Sequence, residues 1–450
     1  MAIATLATVA LGALTPATAA AATAPTGTPV SLRAASGAGV ATPGDFSGYG
    51  FDQCLAPGQA TMDRWLQTSP FLAVGIYISG DSRACRVQPN LTPTWVATQL
   101  AQGWRLLPIT LGPQASCLSR FPRYGDDETI NPATTSDYAA AKAQGVAEAV
   151  KAVGVAQSLG IVGGSTLWYD LEGFDATNTT CRESALSFLG GWTEQVRAQG
   201  YVSGVYSSAG SGIQELDRAR QTRPTRFTLP DRIWVARWDG VANTSTSYIA
   251  EDGWRPGGRV KQYQGGHNET WGGVTINIDS NWLELGRPPA PSARSQCGTQ
   301  VEFATYAGLR PAAAGKASGP GQVRALQCLL KKKKMYAGKL TGRYQPGLVK
   351  AVTSWQRRAG LASSPTWSRK AWQTLLASGT TPVLKIGSTG MAVRRVQRAL
   401  NTKPGTRGPV DGVYGAATDT AVRAWQTRVG LDASGVVGTD DWAALVAGRR

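Results

Sequence analysis

Short β-like runs recur along residues 45–287, and stretches of helical period separate them. The runs are 47–52, 71–79, 105–111, 166–172, 201–207, 232–239, 260–264 and 275–280. Their Val, Ile, Tyr and Trp content predicts strands. Between them lie Ala-rich or amphipathic segments, among them 93–103, 138–159 and 182–199. Two segments close on Gly103 and Gly200, as helices often do. Strands alternating with helices predict a parallel sheet. Eight strands in this span fit an α/β fold of the (β/α)8, TIM-type barrel class. The sixth and seventh helices of that barrel are only weakly marked.

After a Pro/Ser-rich linker at 288–296 the period becomes helical, as in Val393, Val396, Gln397 and Leu400. Two segments match at a constant offset of 70: Gln327 with Gln397, Trp355-Gln356 with Trp425-Gln426, and Trp372 with Trp442. A fixed offset means one structural unit used twice. The four Trp residues read as core rather than as sugar platforms.

The N-terminus has a different pattern. An apolar run from Ala2 to Leu14 precedes an Ala-rich stretch, Ala17 to Ala24, and the first charge is Arg33. This reads as an export signal over 1–24, followed by a disordered linker over 25–44. The competing reading is an Ala/Thr-rich tail. The run is too short for a transmembrane segment. No basic residue precedes it, so the true start is expected upstream. Six cysteines without a Cys-x-x-Cys pair agree with an oxidising, secreted location and leave 15 pairings open.

Composition narrows the chemistry. The 450 residues include one His, His267. One imidazole rules out multi-His zinc sites and most Ser-His-Asp hydrolases, whose triad would have to use His267 itself. No metal site or cofactor is expected. Residues 296–450 hold 24 Lys and Arg against 6 Asp and Glu, whereas residues 1–295 hold 22 against 23. The basic part calls for an anionic partner. No nucleic-acid motif accompanies the charge, so nucleic acid is not expected. Lys331 to Lys334 read as a solvated helix end, with a clamp for phosphates or carboxylates as the functional alternative.

Acidic residues cluster at strand ends: Asp52, Asp170 with Glu172, Asp239 and Asp279. Barrel enzymes carry their chemistry at the C-terminal ends of strands. Alternation puts Trp168, Asp170 and Glu172 on one face and Leu167, Tyr169 and Leu171 on the other. In a closed barrel the first and eighth strands are neighbours, which brings Asp52 to Asp279. Crowded carboxylates cannot all ionise, so one should keep its proton and serve as an acid. A hydrogen-bonded polar core without catalysis is the competing reading.

Phe51-Asp52-Gln53-Cys54, Val74-Gly75-Ile76-Tyr77, Tyr169-Asp170-Leu171-Glu172-Gly173 and Ile278-Asp279-Ser280-Asn281 resemble the secreted actinobacterial glycoside hydrolase-like domain family. That family is similar to the Chalaropsis-type lysozymes, which cleave peptidoglycan glycan strands. The resemblance covers 45–287 and implies four catalytic residues. Glu172 would be the general acid, and Asp170 would position the 2-acetamido group that attacks in place of a protein nucleophile. Asp52 and Asp279 would hold and tune the pair. Asp239, Gln262 and Tyr77 are candidates for substrate binding. Chitin-like substrates stay open, and so does a non-catalytic glycan-binding protein on the same scaffold. The implied barrel places four cysteines on loops at one face, which suggests Cys54–Cys85 and Cys117–Cys181 and leaves Cys297–Cys328.

The second helical unit resembles the small three-helix peptidoglycan-binding domain through Asp411-Gly412-Val413-Tyr414-Gly415 and its repeated Trp-Gln. The first unit, with Thr341 in place of Asp411, is a degenerate copy. Two small α domains are thus expected, over 297–378 and 379–450. The whole reads as a secreted, monomeric, wall-associated protein. Its partners would be peptidoglycan and, through the basic repeats, anionic wall polymers.

Overall fold

The computed structural model describes residues 39–286, 297–311 and 318–450. The expected export signal, residues 25–38 of the expected linker and the linker at 288–296 lie outside the described residues. Eight strands close into a barrel in chain order. They are β1 (Ser47–Asp52), β2 (Ala73–Ser79), β3 (Arg105–Thr110), β4 (Thr166–Asp170), β5 (Val202–Ser208), β6 (Arg232–Ala236), β7 (Arg259–Trp271) and β8 (Val274–Glu284). Helices α1 (Gln59–Thr68), α2 (Pro93–Gln102), α3 (Ala139–Ser158), α4 (Thr179–Ala198) and α5 (Gln214–Thr222) follow the first five strands in turn.

Local signals place these helices. Thr92 caps α2 by accepting from the Trp95 backbone N–H, with Pro93 opening the helix. Gly103 ends it at a φ of 98°, a left-handed position that favours glycine. Alternation on β4 is as the sequence predicts. Tyr169 points outward against Phe188 and Trp192 of α4, at 4.8 and 5.1 Å between ring centroids. Trp168 points inward, edge-on to Trp234 at 5.5 Å. The barrel interior is a packed core, with Arg232 donating to Thr166 at 3.0 Å near its N-terminal end and the carboxylates at its mouth.

The expected parallel order holds from β1 to β7, but β8 runs antiparallel to both β7 and β1. No helix separates β6 from β7 or β7 from β8. Between β7 and β8 the connection is a two-residue turn at Gly272 and Gly273, with φ of 57° and 80°. A tight hairpin of this kind needs positive φ at both central positions. The paired strands run past the barrel as a ribbon against α1, where Trp65 Nε1 donates to the Val274 carbonyl at 3.1 Å. The weakly marked sixth and seventh helices thus have no counterpart in these two connections.

The disulfides pair as expected: Cys54–Cys85, Cys117–Cys181 and Cys297–Cys328. The first ties the loop after β1 to the loop after β2. The second pins the long insert after β3 to the start of α4.

The C-terminal part is helical: α6 (Pro320–Lys332), α7 (Pro346–Arg358), α8 (Arg369–Ala377), α9 (Met391–Leu400), α10 (Ala416–Val429) and α11 (Thr439–Val446). The offset of 70 relates α7 to α10 and α8 to α11 residue for residue at their starts. It has a physical basis in two buried glutamines in each unit. Gln327 and Gln397 each accept from a glycine N–H, Gly342 and Gly412, at 3.0 and 2.9 Å. Gln356 and Gln426 each donate to a loop carbonyl, Thr366 and Val436, at 2.8 Å. Trp355, Trp372, Trp425 and Trp442 are buried in the two cores. Lys331 to Lys334 are exposed around the end of α6. The second unit meets the N-terminal end of the barrel, where Lys385 Nζ donates to the carbonyls of Ser69 and Phe71 at 2.6 and 3.0 Å.

Candidate active site

The β1–β8 register sets Asp52 directly opposite Asp279. Asp279 is thus at the mouth for a different reason from the others. It lies within a long strand that enters from the mouth side, not at a strand's C-terminal end. Asp52 is buried and accepts from Asn281 Nδ2 at 2.6 Å and Gln262 Nε2 at 3.3 Å. Burial, reinforced by the charge of Asp279, pushes the Asp52 carboxyl up to about 8. Asp279 is also raised, chiefly by burial. The two titrate as a pair that holds a proton at neutral pH.

Asp170 ends β4 and is buried. Burial, with Glu172 and Asp52 nearby, holds its carboxyl well above the usual carboxylate range. One oxygen accepts from the Tyr77 hydroxyl at 3.3 Å, and Oδ1 accepts no hydrogen bond from the protein. Glu172 lies beyond the strand and reaches the surface. Its carboxylate pairs with Arg120 at 2.5 Å. Two cavities meet at Glu172. One, of about 640 Å³, is lined by Asp52, Tyr77, Arg83 and Asp279; the other, of about 670 Å³, by Arg120, Tyr206, Arg237 and Trp238.

Gln262 is buried beneath the mouth and does not line either cavity. Its Oε1 accepts from the Tyr206 hydroxyl at 3.0 Å and Trp238 Nε1 at 2.9 Å, while its Nε2 faces Asp52. It links the aromatic wall of one cavity to the carboxylate pair of the other. Asp239 is placed differently. The buried Lys261 holds it at 3.0 Å, and it lines neither cavity. Its neighbour Trp238, 66% exposed, takes the cavity wall instead.

Gln114 gave no signal in the sequence. It is fully buried, donates to the Asp170 carbonyl at 2.8 Å and accepts from the Glu172 N–H at 2.9 Å. It clamps the backbone of the Asp-x-Glu motif from the insert after β3. Nothing local marks it, because its partners are more than 50 residues away in the chain. Among the described residues no group of three or more His, Cys, Asp or Glu is arranged to hold a metal ion.

The raised Asp52 pKa has a measurable consequence. Folded, the carboxyl binds its proton more tightly than in the unfolded chain, where its pKa is about 3.9. Its contribution to stability is full below about pH 4 and is lost as pH rises through the folded value. Melting temperature should fall between about pH 5 and about pH 9, and Asp52→Asn should flatten that fall. Equal slopes for the two proteins would remove Asp52 as its source.

Residues 63–283 match the family described as Rv2525c-like, glycoside hydrolase-like domain. Residues 320–373 and 389–445 match the putative peptidoglycan binding domain. The chain thus carries a glycoside hydrolase-like barrel followed by two peptidoglycan-binding repeats, a combination directed at cell-wall glycan. No curated protein matches the chain. Among solved structures it is similar to an uncharacterised B. stearothermophilus protein, at 17% identity and a TM-score of 0.32, covering 52% of this chain and 95% of that one. It is also similar to the Tat-secreted protein Rv2525c of Mycobacterium tuberculosis, at 14% identity and a TM-score of 0.35, covering 52% and 95%. A third is the modular autolysin LytC of Streptococcus pneumoniae, at 12% identity and a TM-score of 0.31, covering 53% of this chain and 47% of that one. The repeats are consistent with a place at the cell wall. Among the described residues no helix is long and apolar enough to cross a membrane.

Proposed function

We propose that the chain is a secreted cell-wall glycoside hydrolase of muramidase type, working through the substrate's own 2-acetamido group. The observation that carries this reading is the pair on the fourth strand. Asp170 is buried, with an acceptor oxygen that no protein group satisfies, and lies two residues from an accessible Glu172. A buried acceptor without a donor is costly, on the order of 1–3 kcal/mol. An acetamido N–H supplies the missing donor. That contact turns the amide oxygen towards the anomeric carbon, where it attacks as the glycosidic bond breaks. Glu172 gives its proton to the leaving oxygen and then takes one from the water that opens the cyclic intermediate. Asp52 and Asp279, sharing a proton, keep negative charge beside Asp170 low.

Two peptidoglycan-binding repeats support wall glycan as the substrate, because anchoring raises its concentration at the mouth. The test is reducing-end release from purified peptidoglycan by the full chain, with chitin oligosaccharides in parallel. Release is expected from N-acetylated glycan and not from the same glycan after N-deacetylation. Cleavage of both would rule out assistance by the acetamido group.

One observation favours a second reading. Glu172 is in ion-paired form with Arg120, and a general acid must carry a proton. If that pair persists with glycan bound, the barrel is a glycan-binding site without turnover. No release from any substrate, with binding to walls retained, would select it.

A further inference from the structure

We infer that the mouth selects a glycan bearing anionic substituents on both sides of Glu172, read by arginines on the two cavity walls. This rests on the mouth being a glycan site, as proposed above. The two cavities that meet at Glu172 each carry arginine side chains. Arg83 and Arg123 line the first, and Arg237 lines the second beside Arg120.

Arg120 is neutralised by Glu172. Arg83, Arg123 and Arg237 are not within ion-pair distance of any carboxylate among the described residues. The barrel half of the chain is close to neutral, with 22 basic against 23 acidic residues up to 295, so their gathering at one mouth is local.

Arg83 is the most informative. Its guanidinium is half-buried and fixed by the carbonyls of Gly80 and Tyr77, at 2.8 and 3.1 Å. The Cys54–Cys85 bridge holds its loop in the cavity wall. Burial of part of the guanidinium disfavours its charge; Asp81 and Glu148 favour it from beyond ion-pair distance, and an anion in the cavity would add a direct partner. A fork held in place before binding loses little freedom when it takes a carboxylate or phosphate.

On the other wall, Arg237 lies over the Tyr248 ring at 5.4 Å. Beside it stands Trp238, its indole fixed by Gln262 and its ring 66% exposed. A sugar ring stacked on Trp238 would present its substituent to Arg237. The arrangement therefore pairs a stacking face and a cation on one side of Glu172 with a preorganised cation on the other. Neutral homopolymers of N-acetylated sugar offer neither cation an anion.

Carboxylate and phosphate share this chemistry, and the test separates them. Thioglycoside-linked tetrasaccharides resist cleavage, so affinity can be read on the full chain by calorimetry. Four ligands are compared: one with lactyl carboxylates, its carboxyl-reduced counterpart, one with 6-phosphates, and the neutral chitin-type chain. The acidic ligands should bind about tenfold or more tighter than the reduced one at low salt, and the tighter of the two acids identifies the source. Arg83→Gln and Arg237→Gln should each remove most of that advantage while leaving the neutral ligand's affinity unchanged. Arg83→Lys keeps the charge without the fork and should lie between, which guards against a simple folding defect. Equal affinity for the acidic and reduced ligands would overturn this inference alone. So would an advantage that survives both arginine variants but is lost in Lys331→Gln/Lys333→Gln, since the repeats would then be reading the charge. Binding of none of the four would overturn the glycan site itself, and this inference with it.

Discussion

Glu172→Gln is expected to lower reducing-end release from peptidoglycan by about 10³-fold, within the range ascribed to a general acid. Binding of the full chain to walls should be unchanged. Glutamine keeps the size of the side chain and can still receive a hydrogen bond from Arg120, so the fold and the groove should survive. What it cannot do is give a proton to the leaving oxygen. Asp170→Asn should also be severe, but through a different quantity. Its amide would keep an acceptor for the acetamido N–H while altering the charge felt by the developing ring, so the rate should fall with little change in affinity. A leaving group that needs no protonation separates the two roles. With an activated aryl glycoside the Glu172→Gln loss should shrink, and the Asp170→Asn loss should not. Equal losses on both substrates would mean that Glu172 does not act as the acid.

Arg120 stands in the way of that chemistry in the free protein. It belongs to the insert after β3, which Cys117–Cys181 pins at the mouth. The same insert carries Gln114, which clamps the backbone on both sides of Leu171. One loop thus orients the carboxylates and occupies one of them. On the reading proposed above, a substrate that brings its own anion would give Arg120 an alternative partner and release Glu172.

How much of this was legible in the chain follows from where the information lies. Strands such as β2 and β4 could be read because they are runs of buried residues rich in β-formers, and β4 shows the expected alternation in Trp168 and Tyr169. The mouth could be read because Asp52, Asp170 and Glu172 lie at strand ends, where a hydrophobic core does not ask for carboxylates. The closed barrel does bring Asp279 to Asp52, as the neighbouring first and eighth strands imply, but Asp279 is not at a strand's C-terminal end. It faces Asp52 because the chain turns back at Gly272–Gly273, a local signal visible beforehand as paired glycines between polar, alternating segments. Asp239 and Trp238 show the limit of strand-end reasoning. Adjacent residues face opposite ways, and only the partner decides which enters the site. Lys261 took Asp239, so Trp238 took the wall. Gln114 and Arg83 act through contacts with distant or backbone atoms, which no spacing records.

Lys385→Met is expected to loosen the second repeat from the barrel and to cost about 2 kcal/mol or more of stability. Lys385 is 1% exposed and has no carboxylate partner among the described residues. Its Nζ donates to the carbonyls of Ser69, Phe71 and Trp65, at 2.6, 3.0 and 3.4 Å. Burial pushes its pKa well down. The three acceptors oppose that, since an ammonium has three donors to give. Two of the carbonyls belong to the end of α1, where the helix dipole favours a cation. Methionine fills the space of the stem but leaves these carbonyls facing an apolar group. The loss should therefore outweigh the relief of not burying a charge. The contact also fixes geometry. Ile386 and Gly387 lie against Phe46, Ser47 and Gly48, at the start of β1, so the second repeat covers the end of the barrel opposite Asp52 and Glu172. A wall strand held by that repeat is then presented to the mouth from a set direction rather than at the end of a loose tether. In calorimetry the native chain should show the barrel and second repeat melting together, and Lys385→Met should split them into two transitions. Proteolysis between 287 and 296 followed by gel filtration gives an independent reading, with the repeats leaving the barrel only in the variant. Separation of the cleaved native chain would mean that the lysine does not hold the two together, and the repeats would then act as a mobile anchor.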